Sequence, residues 1–112
     1  MKNIKTLALV SVLFPLTAGL GLAAPAADNW DNSCAKCHAP DGSGSTKVGK
    51  KLKLKDYTDA KVQAALKDED IVKAITDGVK DDAGKDKMKG FKGDLTDPEV
   101  ADLVAYIRKL KK

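Results

Sequence analysis

Both cysteines and the single histidine of this 112-residue chain fall within five consecutive positions, Cys34-Ala35-Lys36-Cys37-His38. Outside that run the only other sulfur is in Met1 and Met88. Any centre built from soft or imidazole ligands must therefore form around this one segment, and the rest of the chain must fold to serve it. The length allows one small domain and no second core.

The amino-terminal segment reads as an address. Lys2 and Lys5 precede an uncharged stretch from Thr6 to Ala27 that carries Leu7, Leu9, Val10, Val12, Leu13, Phe14 and Leu16, followed by small residues. That layout predicts a secretory signal peptide over residues 1–26, cut after Ala24-Pro25-Ala26, with a cut after Ala23 as the neighbouring option. Residues 27–112 would then form the mature domain. The alternative, an uncleaved membrane anchor, is disfavoured by Pro15, Gly19, Gly21 and Pro25, so no stable membrane insertion is expected after processing. The leader holds no cysteine for lipid attachment. Export to the periplasm, a thylakoid lumen or another extracytoplasmic space would oxidise a free Cys-x-x-Cys pair unless something captures both sulfurs. Removing Lys2 and Lys5 also lowers the balance of 20 basic against 16 acidic residues to 18 against 16. Such a mixed charge does not suit a nucleic-acid binder, which needs a dominant basic face.

The mature part predicts an all-α fold of three to five short helices joined by long loops. Thr96-Asp97-Pro98-Glu99 has the form of a capping box with proline in the first turn, and Val100, Leu103, Val104, Ile107 and Leu110 then recur at helical spacing. A second helix is expected from about Glu69 to Asp77, capped by Asp68, carrying Ile71, Val72 and Ile75 and stopped by Gly78. Thr58 with Val62 and Leu66 suggests a third, and the stretch from Asp28 to His38 a fourth, with Trp30 on the face of Cys34. Alternation at strand period is confined to Lys51-Leu52-Lys53-Leu54-Lys55, so no sheet is expected. Four aromatics, Trp30, Tyr57, Phe91 and Tyr106, make a thin core for about 86 residues. Domains of this size commonly need an added staple.

On a helical turn Cys34, Cys37 and His38 share one face. Two thiols so placed can add to the vinyl groups of a haem as thioethers, with the imidazole beneath the iron, and C-x-x-C-H is accordingly read as a c-type haem attachment site. The same residues could instead hold zinc or act as a dithiol. The dithiol reading lacks a βαβ context, and the zinc reading lacks a fourth partner. Once the leader is gone Met88 is the one remaining methionine, in a polar, glycine-flanked stretch between two predicted helices. A lone methionine usually fills a core gap. Asp86, Lys87, Lys89 and Gly90 are poor core neighbours, so axial ligation of a haem iron is the expectation here.

The motif near the mature amino terminus, Met88-Lys89-Gly90-Phe91, and the closing run from Leu95 to Ile107 together resemble a small class I bacterial cytochrome c over nearly all of the mature chain. The resemblance implies one haem c bound through Cys34 and Cys37, with His38 and Met88 as axial ligands. It implies crossed terminal helices with Trp30 packed near Tyr106. Asp41-Gly42-Ser43-Gly44 resembles the family's turn after the histidine and Val48-Gly49-Lys50-Lys51-Leu52 its next loop, where a main-chain carbonyl is expected to accept the His38 ring N–H. Proline is common in the family at two positions held here by Lys50 and Lys89. A haem pocket including Leu52, Leu54, Ile75, Phe91 and Leu95 is expected, and the haem-free chain should be largely unfolded.

His/Met ligation implies a monomeric one-electron carrier between redox partners rather than an enzyme, since no iron position stays open. A peroxidase-like haem enzyme or ligand sensor would require Met88 to be off the iron. Lys47, Lys50, Lys51, Lys53 and Lys55, with Lys85, Lys87, Lys89 and Lys92 around Met88, could form a ring that docks an acidic partner or could simply be a solvated face.

Overall fold

The computed structural model describes residues 23–112, so residues 1–22 of the expected leader lie outside the described residues. The elements run α1 (Ala26–Ser33), α2 (Ala35–His38), α3 (Lys47–Leu52), α4 (Ala60–Ala65), α5 (Asp68–Asp77), β1 (Val79–Lys80), β2 (Asp86–Met88) and α6 (Asp97–Lys109). Among the described residues no helix is long and apolar enough to cross a membrane.

The last helix begins where its sequence signals place it. Thr96 caps it, the Thr96 hydroxyl accepting from Glu99 N and the Glu99 carboxylate accepting from Thr96 N, with proline in the first turn. Its apolar stripe, Val100, Leu103, Val104 and Ile107, is buried against α1 and α5. Trp30 of α1 is 1% exposed and Leu103 of α6 is 0% exposed, and these two are the largest fully buried side chains. Burying one such side chain stabilises a fold by about 1.5–3 kcal/mol. The Trp30 and Tyr106 rings lie 5.6 Å apart, completing the expected crossing of the terminal helices.

Several local expectations are corrected. The stretch from Asp28 to His38 is two helices, interrupted at Cys34, whose φ of −119° departs from helical values. Lys67, not Asp68, is the N-cap of α5, because the Asp68 carboxylate is taken by Arg108, whose Nε and Nη2 approach it at 2.9 and 2.7 Å. Asp59 replaces Thr58 as the cap of α4: its carboxylate accepts from Lys61 N, while the Thr58 hydroxyl donates to Asp56. Of the three apolar residues expected on α5, Ile71 and Ile75 are buried and Val72 is 40% exposed. The Lys51–Lys55 alternation is not a strand but the end of α3, which stops where Lys53 turns left-handed at φ 55°.

The stretch expected to be loop throughout contains a two-stranded antiparallel hairpin, with Val79 opposite Met88 and Lys80 opposite Asp86 around a bulge. The Asp81 carboxylate organises its turn by accepting from Ala83 N and Lys85 N. Strands this short, exposed everywhere but at half-buried Met88, leave no alternation for sequence to display. With α3 and the split first helix, the described residues form six helices where three to five were expected of the mature chain.

Candidate haem site

A cavity of about 330 Å³ opens between the helix crossing and the hairpin. Its floor is Trp30, Leu103 and Ile107, and its far wall includes Ile71, Ala74 and Ile75 of α5. Tyr57 and Leu54 line it from the α3–α4 connection, and Val79 and Met88 from the hairpin. Of the expected pocket residues Leu54 and Ile75 line it, whereas Phe91 and Leu95 pack against the core cluster instead and Leu52 lines a separate, polar cavity with Val79 and Lys80. Ile71, Ala74, Tyr57 and Leu66 are lining residues that sequence reading did not single out. Ile71 and Leu66 carried helical-face signals, but nothing in one dimension says which face meets an empty space.

Three of the four expected site residues, Cys34, His38 and Met88, converge on this cavity across 54 positions of sequence. Cys37 is half-buried one turn beyond Cys34, off the cavity wall. The turn itself is closed by Cys37 N and His38 N, which donate to Cys34 O at 3.2 and 2.9 Å. Thr46, the cap of α3, donates its hydroxyl to Cys37 O and accepts from Gly49 N, so one residue fixes α3 against the Cys-x-x-Cys-His segment.

Met88 reaches the cavity because the chain crosses itself at two glycines. Gly78 ends α5 at φ 77°, and a Cβ there would stand 2.5 Å from Met88 O; a Cβ on Gly90 would stand 2.7 Å from Asp77 C. Such contact excludes any side chain at either crossing point. The same approach lets Phe91 N and Lys92 N donate to Ile75 O and Thr76 O at 2.8 and 3.1 Å, satisfying carbonyls that the end of α5 leaves open.

His38 is held between rings. Tyr57 stacks on it at 5.4 Å with 22° between planes, and Trp30 lies at 5.8 Å on a tilt. Burial lowers its pKa below the ordinary histidine value, which favours the neutral imidazole that metals require. Its Nδ1 is buried with no hydrogen-bond partner, so the main-chain acceptor expected near Lys50 is not engaged. Burial, and secondarily the nearby Cys37, pushes the Cys34 thiol up to about 11, and burial raises Tyr57 as well.

These residues fit a haem c. The cavity wall is mainly apolar, a neutral imidazole and a thioether reach it from separate elements, and two reduced cysteines stand at the spacing of two vinyl additions. They fit zinc poorly: among the described residues no three of His, Cys, Asp and Glu are grouped so as to hold a metal ion.

Comparison with known proteins agrees. Residues 21–107 match the family model described as cytochrome C oxidase, cbb3-type, subunit III. Among solved structures, the KustC0563 c-type cytochrome is similar at 33% identity and a TM-score of 0.67, over 78% of this chain and 98% of that one. A tyrosine-to-phenylalanine mutant of Kustc0563 is similar at 32% identity and a TM-score of 0.65, over 78% and 99%. Comparison with curated proteins returns no match. The family model thus runs through every helix but the last two residues of α6, and on that footing the chain belongs to the small monohaem c-type cytochromes.

Proposed function

We propose that this protein is an exported one-electron carrier holding a single haem c, with thioethers to Cys34 and Cys37 and axial ligands from His38 and Met88. C-type cytochromes are in general electron carriers. The observation that carries the finer reading is the meeting of His38 and Met88 on one apolar cavity beside Cys34. Haem c, when bound, would supply a one-electron couple, and a thioether ligand from Met88 would favour its reduced form. The chain's own residues supply the rest. The α5 and α6 side chains shield the cavity from water, burial favours the neutral imidazole of His38, and the Gly78–Gly90 crossing sets Met88 on the cavity wall.

The dithiol alternative asks Cys34 to be a thiolate near neutral pH, and a thiol raised by burial opposes that. A peroxidase-like role asks for a cavity free of Met88, and Met88 lines it.

An absorption spectrum and the intact mass of exported protein test the proposal together. A low-spin spectrum with a mass of processed chain plus one haem is expected, and Met88→Ala should admit exogenous ligands. A colourless protein, or unchanged ligand binding in the variant, overturns it.

The carrier reading extends to an acidic redox partner. Exposed Lys53, Lys55 and Lys87 line the cavity, with Lys47, Lys50 and Lys51 on neighbouring α3. Lys80 and Lys89 are partly neutralised by Asp86 and Asp94 at 2.9 and 3.3 Å, so the positive field is weighted toward α3. Electron-transfer rates to an acidic partner should fall with ionic strength; a flat rate removes the docking idea.

A further inference from the structure

His38 lacks the hydrogen bond that usually orients a metal-binding imidazole. Such a histidine nearly always donates its second ring N–H to a carbonyl, carboxylate or water, which fixes the ring and strengthens it as a ligand. Here Nδ1 is buried and no protein group accepts from it. The reason lies in the neighbouring segment. Lys50 permits a helix where a proline would disturb one, and the carbonyls of Gly49 and Lys50 accept from Leu54 N and Lys53 N at 2.9 and 3.3 Å. Both carbonyls are thus engaged in closing the end of α3, and neither accepts from His38.

Two aromatic rings are in place to fix the ring plane. Trp30 is anchored by Nε1, which donates to Ala39 O at 3.1 Å. Tyr57 is anchored at both main-chain groups: its N–H donates to Gly42 O at 2.9 Å, and its carbonyl accepts from Gln63 Nε2 at 2.8 Å. Gln63 is itself buried, and the same Nε2 donates to Ile107 O of α6 at 2.8 Å, while Arg108 Nη1 donates to Gln63 O and Oε1. The Tyr57 ring is thus braced against the rigid helix crossing and lies nearly parallel to the imidazole.

We infer that Tyr57 is a positioning residue for the axial imidazole, its ring fixing the His38 plane by stacking in place of the missing hydrogen bond at Nδ1. The inference rests on the haem reading above. It has a directional consequence. An imidazole with no acceptor at Nδ1 is the weaker electron donor, so this arrangement favours the ferrous form. Freeing the ring lets Nδ1 find water or a carbonyl, which strengthens the ligand and favours the ferric form.

The test compares haem-loaded Tyr57→Phe with Tyr57→Leu, reading the oxidised-to-reduced ratio against a redox dye and the His38 ring signals by NMR. The Phe variant keeps the stack and should match wild type. The Leu variant should raise the oxidised-to-reduced ratio severalfold and move the His38 signals. If the Leu variant does not accumulate haem-loaded, Tyr57→Met carries the same prediction. Equal shifts in the Phe and Leu variants would assign the effect to the hydroxyl and overturn the inference, as would no shift in either. Those results leave the haem reading standing; a wild-type protein without covalent haem removes both.

Discussion

The two sides of the cavity are built differently. On one, α1 and α6 cross with Trp30 and Leu103 almost wholly buried, members of one apolar cluster with Ile71, Ile75, Val100, Val104 and Ile107. On the other, the hairpin strands are exposed except at half-buried Met88, and backbone contacts at Gly78 and Gly90 hold them to α5. The crossing is stabilised by its own apolar burial. The hairpin wall buries little beyond Met88, which packs against the core cluster, so more of its stability is tied to what fills the cavity. A small chain with four aromatics can close one such side by itself; the second is left to the cofactor.

This contrast can be broken by substitution. Leu103→Ala removes the centre of the crossing and should cost about 2–5 kcal/mol in urea unfolding of the haem-loaded protein. A loss well under that figure would show that the haem, and not the helices, dominates this side too. Gly90→Ala acts on the other side, where its Cβ meets the end of α5. It should displace Met88 and let exogenous ligands bind, while moving the urea midpoint less than Leu103→Ala does. An unfolding midpoint that falls as far would mean that the two sides are not separable.

The smallest effect is expected at the edge of the crossing. The Glu99 carboxyl lies below its usual range, first because Asn29 Nδ2 donates to it at 2.9 Å and then through its capping bonds to Thr96. A carboxyl lowered on folding stabilises the fold above its unfolded pKa, about 4.3 for glutamate, and this contribution fades as pH falls through the lower folded value. Wild type should therefore exceed Glu99→Gln in thermal stability at neutral pH, with the gap closing on acidification. A gap independent of pH would assign the bond no charge component.

How much could be read in advance varied with the range of the interactions. The capping box at Thr96, the stop at Gly78 and the turn around Cys34, Cys37 and His38 are local, and their residues state them directly. Competition moved the other caps. Asp68 lost its capping role to Arg108, 40 residues away, and no local pattern could reveal that partner. The hairpin escaped notice because its register depends on Asp81 and on a crossing with α5 rather than on alternating side chains.

By itself the sequence determined where such chemistry could lie: both cysteines and the histidine within five positions, one methionine outside the expected leader, and the helix that closes the fold. Those follow from residue identity and short-range geometry. Only the tertiary structure decided that the carbonyls of α3 would be spent within their own helix and that Tyr57 would lie against His38. The physical reason is that a hydrogen-bond acceptor is available or occupied according to the conformation of its neighbours, and a ring stacks according to what anchors its backbone. Neither condition is a property of the residue alone.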